Sequence, residues 1–310
     1  MIVSLGEALI DLIHSSSSGK PVTRIGGSPF NVAIALSRLG IESGFICPLS
    51  TDHFGDKLAG ALGINDVKQC VEERVKAPTA RAEVFTDSNG HPTYRFYRDD
   101  TADRALDERP PVLALPPTLK AMHFGSLVLA QSNDWLAWKA AIIAARDRGA
   151  FIAFDPNIRL PLIDDMQQYR ERLHEAISLS DLVKASDEDL LLLYPDDKPE
   201  VKIQEWCRPH RMVVLTEGSK GAQLWTISGR QSVHRPEPMP SIVDTVGAGD
   251  TFQAALLAWL SHENAFHDDL TTHQSHTLLG FAHRAAALNC TQPGCDPPVL
   301  SAVLQSIRDQ

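Results

Sequence analysis

The stretch Asp244-Thr-Val-Gly-Ala-Gly-Asp-Thr-Phe252 governs the interpretation of the whole chain. Strand-like Ile242-Val243 precedes it, and the run to Leu260 that follows has apolar residues at helical spacing, which predicts a helix with one buried face. The first amides of a helix lack intrahelical partners and lie at the positive end of its dipole. Small residues at 247–249 would let a phosphate approach those amides, whereas Asp250 could also be a simple N-cap.

Composition limits the classes of protein to consider. With 310 residues, 43% of them hydrophobic, the chain can form one large α/β domain or two smaller ones. The net charge of -10 predicts no nucleic-acid partner and no anionic-membrane partner. The N-terminus has no basic segment and is interrupted by Glu7 and Asp11, so we expect a first strand rather than a signal peptide. Five cysteines without a C-x-x-C pair favour reduced thiols and a cytoplasmic location.

Strands and helices alternate over most of the chain. Strands are predicted at 2–5, 45–49, 121–124, 151–154, 182–184, 212–216 and 222–227, and helices at 32–39, 56–62, 134–148, 169–178 and 187–193. This alternation predicts a mainly parallel sheet with helices on both faces. No linker is long enough to separate two domains, so a single domain over residues 1–310 is expected.

Two β-rich segments, about 13–28 and 79–104, interrupt that alternation. In the second, Asn-Gly within 87–91 lies between the strand-like runs Arg81–Thr86 and Thr93–Arg98, which predicts a hairpin. These segments cannot easily join a parallel sheet, so we expect a small separate β-layer that acts as a lid. Because an exposed β-layer is marginally stable by itself, a homodimer formed through the lid is predicted. Arg98 and Asp103 are candidate pocket residues.

Polar residues gather where the predicted strands end, which is where ligands bind in open α/β sheets. The groups are Asp11, Gly26-Gly27 with Asn31, Gly125-Ser126, Asp155-Pro-Asn-Ile-Arg159, Ser186–Asp189, Thr216-Glu-Gly218 and Asp244–Asp250. Any one of them could merely cap a helix or form a turn, but their coincidence favours a shared ligand site. The chain has no P-loop and no G-x-S-x-G motif, and the Gly-Ala-Gly turn lacks the third glycine of a dinucleotide-binding turn.

Two of these stretches carry a family resemblance. Gly26-Gly-Ser-Pro-Phe-Asn-Val-Ala33 and Asp244–Phe252 resemble the two signatures of the ribokinase-like (PfkB) sugar kinases, in the right order and across nearly the whole chain. Gly6-Glu-Ala-Leu-Ile-Asp11, Phe154–Arg159, Lys184–Glu188 and Cys290-Thr-Gln-Pro-Gly294 are most similar to fructokinases. The resemblance implies a three-layer α/β/α ribokinase-like fold with a β-sheet lid. It also favours a phosphate site over a simple helix cap at Asp250.

The resemblance also implies a role for each group of residues. Asp250 would be the general base, and the amides of Gly247, Ala248 and Gly249 an anion hole. Sugar-binding residues would be Asp11, Gly26, Gly27, Asn31, Arg98 and Arg159. Nucleotide-binding residues would be Lys184, Thr216, Gly218, Gly221 and Thr245. Mg²⁺ would lie near Ser186, Glu188 and Asp189, and a monovalent cation such as K⁺ near Asp244, Val246 and Gly294.

The expected activity is transfer of phosphate from ATP to a sugar, with D-fructose the first choice of substrate. A 2-keto-3-deoxygluconate kinase, another PfkB sugar kinase, and a sugar-sensing protein without catalysis are the alternatives. Two positions depart from the family pattern. Asp189 stands where the magnesium-associated motif has Glu, and Phe30 replaces a small residue, either as extra packing or as an altered rim of the sugar pocket.

Overall fold

The computed structural model describes residues 1–14, 21–86, 92–163, 165–209, 211–235 and 241–309, with the backbone alone at 86 and 92–94. In chain order its strands are β1 Ile2–Leu5, β2 Leu9–His14, β3 Val22–Gly26, β4 Ser43–Ile46, β5 Lys68–Gln69, β6 Ala80–Thr86, β7 Pro92–Tyr97, β8 Ala121–Gly125, β9 Phe151–Asp155, β10 Leu182–Ser186, β11 Met212–Thr216, β12 Ala222–Thr226 and β13 Gly229–His234. Its α-helices are α1 Ser28–Arg38, α2 His53–Ile64, α3 Ser132–Asp147, α4 Met166–Leu179, α5 Asp187–Leu193, α6 Pro199–Trp206, α7 Ala248–His262, α8 Thr272–Asn289 and α9 Leu300–Arg308. Short 3₁₀ helices cover Ala102–Arg104, Pro111–Ala114, Ser126–Leu129, Leu160–Leu162 and Gly218–Lys220.

The larger sheet has the strand order β13-β12-β11-β10-β9-β8-β1-β4-β5. Its neighbouring strands pair in parallel, except that β12 pairs antiparallel with both β11 and β13. Successive side chains of β9 point to opposite faces, so Phe154 packs with α3 and α4 while Phe151 packs with α1, α7 and α8. This arrangement confirms the predicted three-layer α/β/α architecture with a mainly parallel sheet.

The smaller sheet has the order β3-β2-β6-β7. Strand β2 pairs antiparallel with β3 and parallel with β6, and β6 pairs antiparallel with β7. A separate β-layer is therefore confirmed, although it begins at Leu9 rather than near residue 13 and so includes Asp11. The predicted Asn-Gly turn at 87–91 lies outside the described residues, as do residues 15–20.

Helix α7 differs from the sequence prediction. Every residue from Asp250 to Leu260 is buried, so the helix has no exposed side over that run. It packs between the sheet, α1 and α8, which explains why its apolar residues exceed one face. The strand predicted at Ile242-Val243 was wrong: both side chains are more than half exposed, at 62% and 59%, in irregular backbone. Across the described residues, no helix combines the length and apolarity needed to span a bilayer.

Candidate active site

The start of α7 has a backbone shape that demands glycine. Gly247 precedes the helix with φ +75°, and a Cβ there would lie 2.2 Å from Sγ of Cys295. Gly249 and the half-buried Ala248 follow in the first turn, where helix amides lack intrahelical partners. The Ala248 amide already donates to the Thr245 carbonyl at 3.2 Å, so a phosphate at the predicted anion hole would first meet the amides of Gly247 and Gly249.

Asp250 is buried in that first turn, and three side chains donate hydrogen bonds to its carboxylate. Ser28 Oγ donates to Oδ1 at 2.6 Å and Asn157 Nδ2 donates to the same oxygen at 3.3 Å. Asn31 Nδ2 donates to Oδ2 at 2.8 Å. The fold therefore joins the two signature stretches and the loop after β9 at one carboxylate.

The glycine pair at 26–27 makes room for Asp11 and for the turn into α1. A Cβ on Gly26 would lie 2.5 Å from Oδ2 of Asp11, and a Cβ on Gly27, where φ is +109°, would lie 2.6 Å from the carbonyl oxygen of Glu7. Burial raises the pKa of Asp11 to about 6, although the positive charge of Arg159 opposes that rise. Arg159 itself is exposed and donates to Asn157 Oδ1 at 2.7 Å. Arg159 is thus linked to Asp250 through Asn157, and Gly27 through the adjoining Ser28, while Asp11 lies beside Gly26.

Glu7 supports this region, and no role was predicted for it. Its buried carboxylate accepts from the amides of Ser28 and Leu127, both at 3.2 Å, and so ties α1 to the end of β8. Burial raises the pKa of Glu7, while its hydrogen bonds and the charges of Arg98 and Arg159 oppose the shift. The signal in the sequence was an acidic residue inside an otherwise apolar first strand region.

Arg98 and Asp103, predicted as pocket residues, are buried against each other. Arg98 Nε lies 2.7 Å from Asp103 Oδ2, and its Nη1 lies 3.5 Å from Asp134. Arg104 pairs with Asp134 as well, at 2.9 Å. The guanidinium of Arg98 is thus largely engaged at the base of the small sheet, although Nη1 has no hydrogen-bond partner in the described part of the chain.

A buried ion pair lies beneath the start of α7. Lys184 Nζ lies 2.6 Å from Asp155 Oδ2, with side-chain exposures of 5% and 2%. An ideal Cβ on Gly249 would lie 3.6 Å from that ammonium. Burial disfavours the charge of Lys184, but Asp155, Asp189 and Asp250 outweigh it and raise its pKa. Burial also raises the pKa of Asp155 to about 6, against the effect of Lys184.

The predicted nucleotide residues fall at the end of β11 and before α7. Thr216 and Gly218 begin the turn into β12, and Gly221, with φ +119°, has no room for a Cβ beside the His234 carbonyl oxygen. Thr245 is exposed.

Beside Gly221 lies a cluster of three histidine rings that was not predicted from the sequence. The ring of His234 lies 5.3 Å from both His276 and His283, and His283 lies edge-on to Phe252. Burial lowers the pKa of His283 to about 4, so that ring is neutral at physiological pH. The signal in the sequence was the seven-residue spacing of His276 and His283, which places them on one face of α8.

The predicted Mg²⁺ residues differ in whether their side chains are free to bind a metal ion. Asp189 is used structurally, because Oδ1 accepts from the Ile158 amide at 2.9 Å and Oδ2 from Ser186 Oγ at 2.7 Å in a capping box. Glu188 is exposed, and Oδ1 of Asp155 is buried without a hydrogen-bond partner in the described chain. The described residues include no cluster of three or more His, Cys, Asp or Glu suited to a metal. Such a donor set fits Mg²⁺ carried mainly by nucleotide phosphates and water.

The predicted monovalent-cation residues lie together. Asp244 accepts from the Val246 amide at 3.0 Å through Oδ1 and from the Gly294 amide at 2.8 Å through Oδ2. The Val246 carbonyl accepts from Asn289 at 2.8 Å.

Phe30, the second departure from the family pattern, is fully buried edge-on to Phe45, with ring centroids 5.3 Å apart. It therefore packs the core and does not form a pocket rim.

The amino-acid sequence is similar to those of known carbohydrate kinases. Residues 1–302 match the pfkB family carbohydrate kinase domain. Probable fructokinase-4 of Arabidopsis thaliana is 34% identical, with 96% of this chain and 93% of that protein covered. Fructokinase-2 of rice is 33% identical, with 96% and 90% covered.

Solved structures agree in fold over the full length. Fructokinase from Xylella fastidiosa with bound ATP has a TM-score of 0.88 at 26% identity, covering 100% of this chain and 98% of that one. Fructokinase from Vibrio cholerae O395, in its fructose-, ADP- and calcium-bound form, has a TM-score of 0.82 at 26% identity, covering 98% and 97%. Related kinase structures therefore hold nucleotides and metal ions.

Proposed function

The chain belongs to the pfkB family of carbohydrate kinases, and from that premise we propose that it is a fructokinase, which converts D-fructose and ATP to D-fructose 6-phosphate and ADP. The observation that carries the proposal is the buried carboxylate of Asp250, set in the first turn of α7 and bonded to Ser28 and Asn31 of the other signature. The fructokinase names of full-length relatives support fructose as the substrate.

In the proposed reaction Asp250 is the general base. It takes the proton of the sugar hydroxyl while the hydroxyl oxygen bonds to the γ-phosphorus and the bond to the departing ADP oxygen breaks. The amides of Gly247, Ala248 and Gly249 stabilise the charge on the transferred group. Sugar hydroxyls are bound by Asp11, Gly26, Gly27 and Asn31, and Arg159 attracts the phosphates at the rim.

ATP is proposed to bind along Thr216, Gly218, Gly221 and Thr245, near the open N-terminus of α7. For Lys184 the ion pair with Asp155 favours a supporting charge beneath the phosphates over a direct contact. Mg²⁺ near Glu188, with Ser186 and Asp189 behind it, would neutralise phosphate charge when it is bound. K⁺ at the Asp244, Val246 and Gly294 segment stays a prediction, as does the cytoplasmic location, which five free cysteines support.

A homodimer through the smaller sheet completes the proposal. Ile13, Val22 and Val84 lie side by side on one face of that sheet, and none of them is buried in the monomer. A second copy of the chain would cover these apolar side chains and the exposed edge strands of the smaller sheet.

Purified protein tested with ATP, Mg²⁺ and a panel of sugars decides the activity. We expect ADP release with fructose above ribose, mannose, glucose, adenosine and 2-keto-3-deoxygluconate. ADP release with 2-keto-3-deoxygluconate alone would make that sugar, and not fructose, the substrate. The exposed Arg159 is a cation that could bind its carboxylate, whereas Arg98 is already paired with Asp103. Calorimetric sugar binding with no ADP release would instead indicate a sensing protein.

A further inference from the structure

Ser28 and Asn157 contact the proposed base, and neither has a role in the function described so far. Ser28 Oγ lies 2.6 Å from Asp250 Oδ1 and 2.8 Å from Asn157 Nδ2. Its side chain is buried at the start of α1, and its amide is held by Glu7. Asn157 adopts a left-handed conformation, with φ +38°, which is uncommon outside glycine and costs free energy.

The direction of each hydrogen bond in this group is fixed by Arg159. An arginine can only donate, so the atom of Asn157 that faces Arg159 Nη1 at 2.7 Å must be the carbonyl oxygen Oδ1. The amide nitrogen Nδ2 therefore faces Ser28 and Asp250 and donates to both. Since Ser28 Oγ accepts from Asn157, its one proton is given to Asp250.

These bonds form a polarised chain that runs from Arg159 through Asn157 and Ser28 to Asp250. Successive hydrogen bonds oriented in one direction strengthen one another, and a bond to a carboxylate is stronger than one between neutral groups. Both donors act on Oδ1, whereas Asn31 is the one side chain of the described residues that donates to Oδ2. Asn31 is itself a proposed sugar ligand, so sugar binding can draw it away from Oδ2.

We propose that Ser28 and Asn157 are positioning residues for phosphoryl transfer, which hold Oδ1 of Asp250 so that Oδ2 is the oxygen that receives the proton of the sugar. This role rests on the kinase function proposed above. The exposed Arg159 at the other end of the chain makes the alignment of the base sensitive to what binds at the rim.

The other titratable groups close enough to feel the charge of Asp250 are Lys184 on β10, Asp155 on β9 and the Cys295 thiol beside Gly247, whose pKa burial raises. The experiment leaves all three unchanged. Ser28→Ala removes the donor to Oδ1, and Asn157→Gly removes the amide while tolerating the left-handed backbone. Ser4→Ala is the matched control, because Ser4 Oγ makes an equally buried 2.6 Å bond to the Pro29 carbonyl and none to Asp250.

We expect Ser28→Ala to lower kcat about tenfold, the effect of losing a hydrogen bond to a charged group, and to move the acid limb of the kcat profile to higher pH. Fructose affinity, measured calorimetrically without nucleotide, should change less than about twofold because the residue acts through the base and not on the sugar. Asn157→Gly should act in the same direction. The double variant should lose less than the product of the two single losses, because both act through one chain.

The role is overturned if Ser28→Ala keeps the wild-type kcat and acid limb, or if Ser4→Ala reproduces its effect. Wild-type protein that releases no ADP with any sugar would overturn the kinase function itself, and this role with it.

Discussion

Asp250 is the residue on which the proposed chemistry depends most directly. Asp250→Asn keeps the size and the burial of the side chain but removes its capacity to accept a proton. We expect turnover to fall by about 10²–10⁴, the usual loss on removing a general base, while calorimetric fructose binding stays near normal. A variant that turns over at the wild-type rate would remove Asp250 from this role.

Asp11 shows how a binding residue lowers the stability of the free protein. Its pKa in the fold is about 6, above the 3.8 of the unfolded chain, so the folded state holds the proton more tightly. The stabilising contribution of the protonated carboxyl is complete below about pH 4 and is lost as pH rises through about 6. Above that range, an ionised and largely buried carboxylate destabilises the fold.

Asp11→Asn should therefore raise the free energy of unfolding at pH 8 by about 1–2 kcal/mol, after allowance for partial exposure. The gain should shrink towards zero at pH 4, and fructose affinity should fall because an ionised acceptor is gone. Urea unfolding at pH 4, 6 and 8 measures the first effect, and calorimetry measures the second. The pKa of Asp155 is also about 6, but Asp155 is present in both proteins, so its titration cancels when their stabilities are compared. Equal gains at pH 4 and pH 8 would contradict the assignment of the effect to Asp11.

The sequence predicted Asp11, Asn31, Arg159 and Asp250 as site residues because each falls near the end of a predicted strand or the start of a predicted helix. It gave Ser28 and Asn157 no role of their own, although both lie in the quoted stretches, because their partner Asp250 is 222 and 93 positions away. It placed Arg98 in the pocket because no local pattern reveals that Asp103 and Asp134 meet that guanidinium in the fold.

Among the elements, β9 and β10 supply the buried ion pair beneath α7. Lys184→Met would leave the Asp155 carboxylate buried without its counter-ion. We expect a loss of about 3–5 kcal/mol in the free energy of unfolding, measured in urea at pH 8. Lys139→Met is the matched control: its 2.9 Å pair with Glu175 is 30% and 49% exposed, so its removal should cost about 1 kcal/mol or less.

Adding Asp155→Asn to Lys184→Met should recover part of that stability, because the uncompensated charge is then removed. Equal losses for Lys184→Met and Lys139→Met would show that the buried ion pair contributes no more to the free energy of unfolding than the exposed one.

Elements with strong local patterns were predictable, and those set by packing were not. Strand β11 and helix α5 have the predicted bounds, because apolar runs and a serine cap mark them. Helix α8 escaped prediction, since its buried Leu and Ala positions are interleaved with His, Ser and Thr. Ile242-Val243 has strand-like composition, but its backbone bonds to the Cys290 carbonyl rather than to a strand.

At the scale of the whole molecule, the smaller sheet is the proposed dimer contact. Val22 lies on its edge strand with 46% of its surface exposed, so Val22→Asp should be tolerated by a monomer and should break a dimer that buries it. Light scattering during gel filtration should show halved mass at micromolar concentration. Leu113→Asp, which alters another exposed apolar residue, should leave the mass unchanged. A dimer that persists in Val22→Asp would contradict the proposal.

The bond between Ser28 and Asp250 has a consequence for how the enzyme is made, because it joins positions 222 residues apart. A nascent chain can assemble β1, β4 and the smaller sheet early, since their strands all come from the first third of the sequence. The proposed base meets its partners only after α7 has left the ribosome, and such distant contacts form late and slowly. The proposed active site is therefore incomplete in the growing chain until α7 packs against α1.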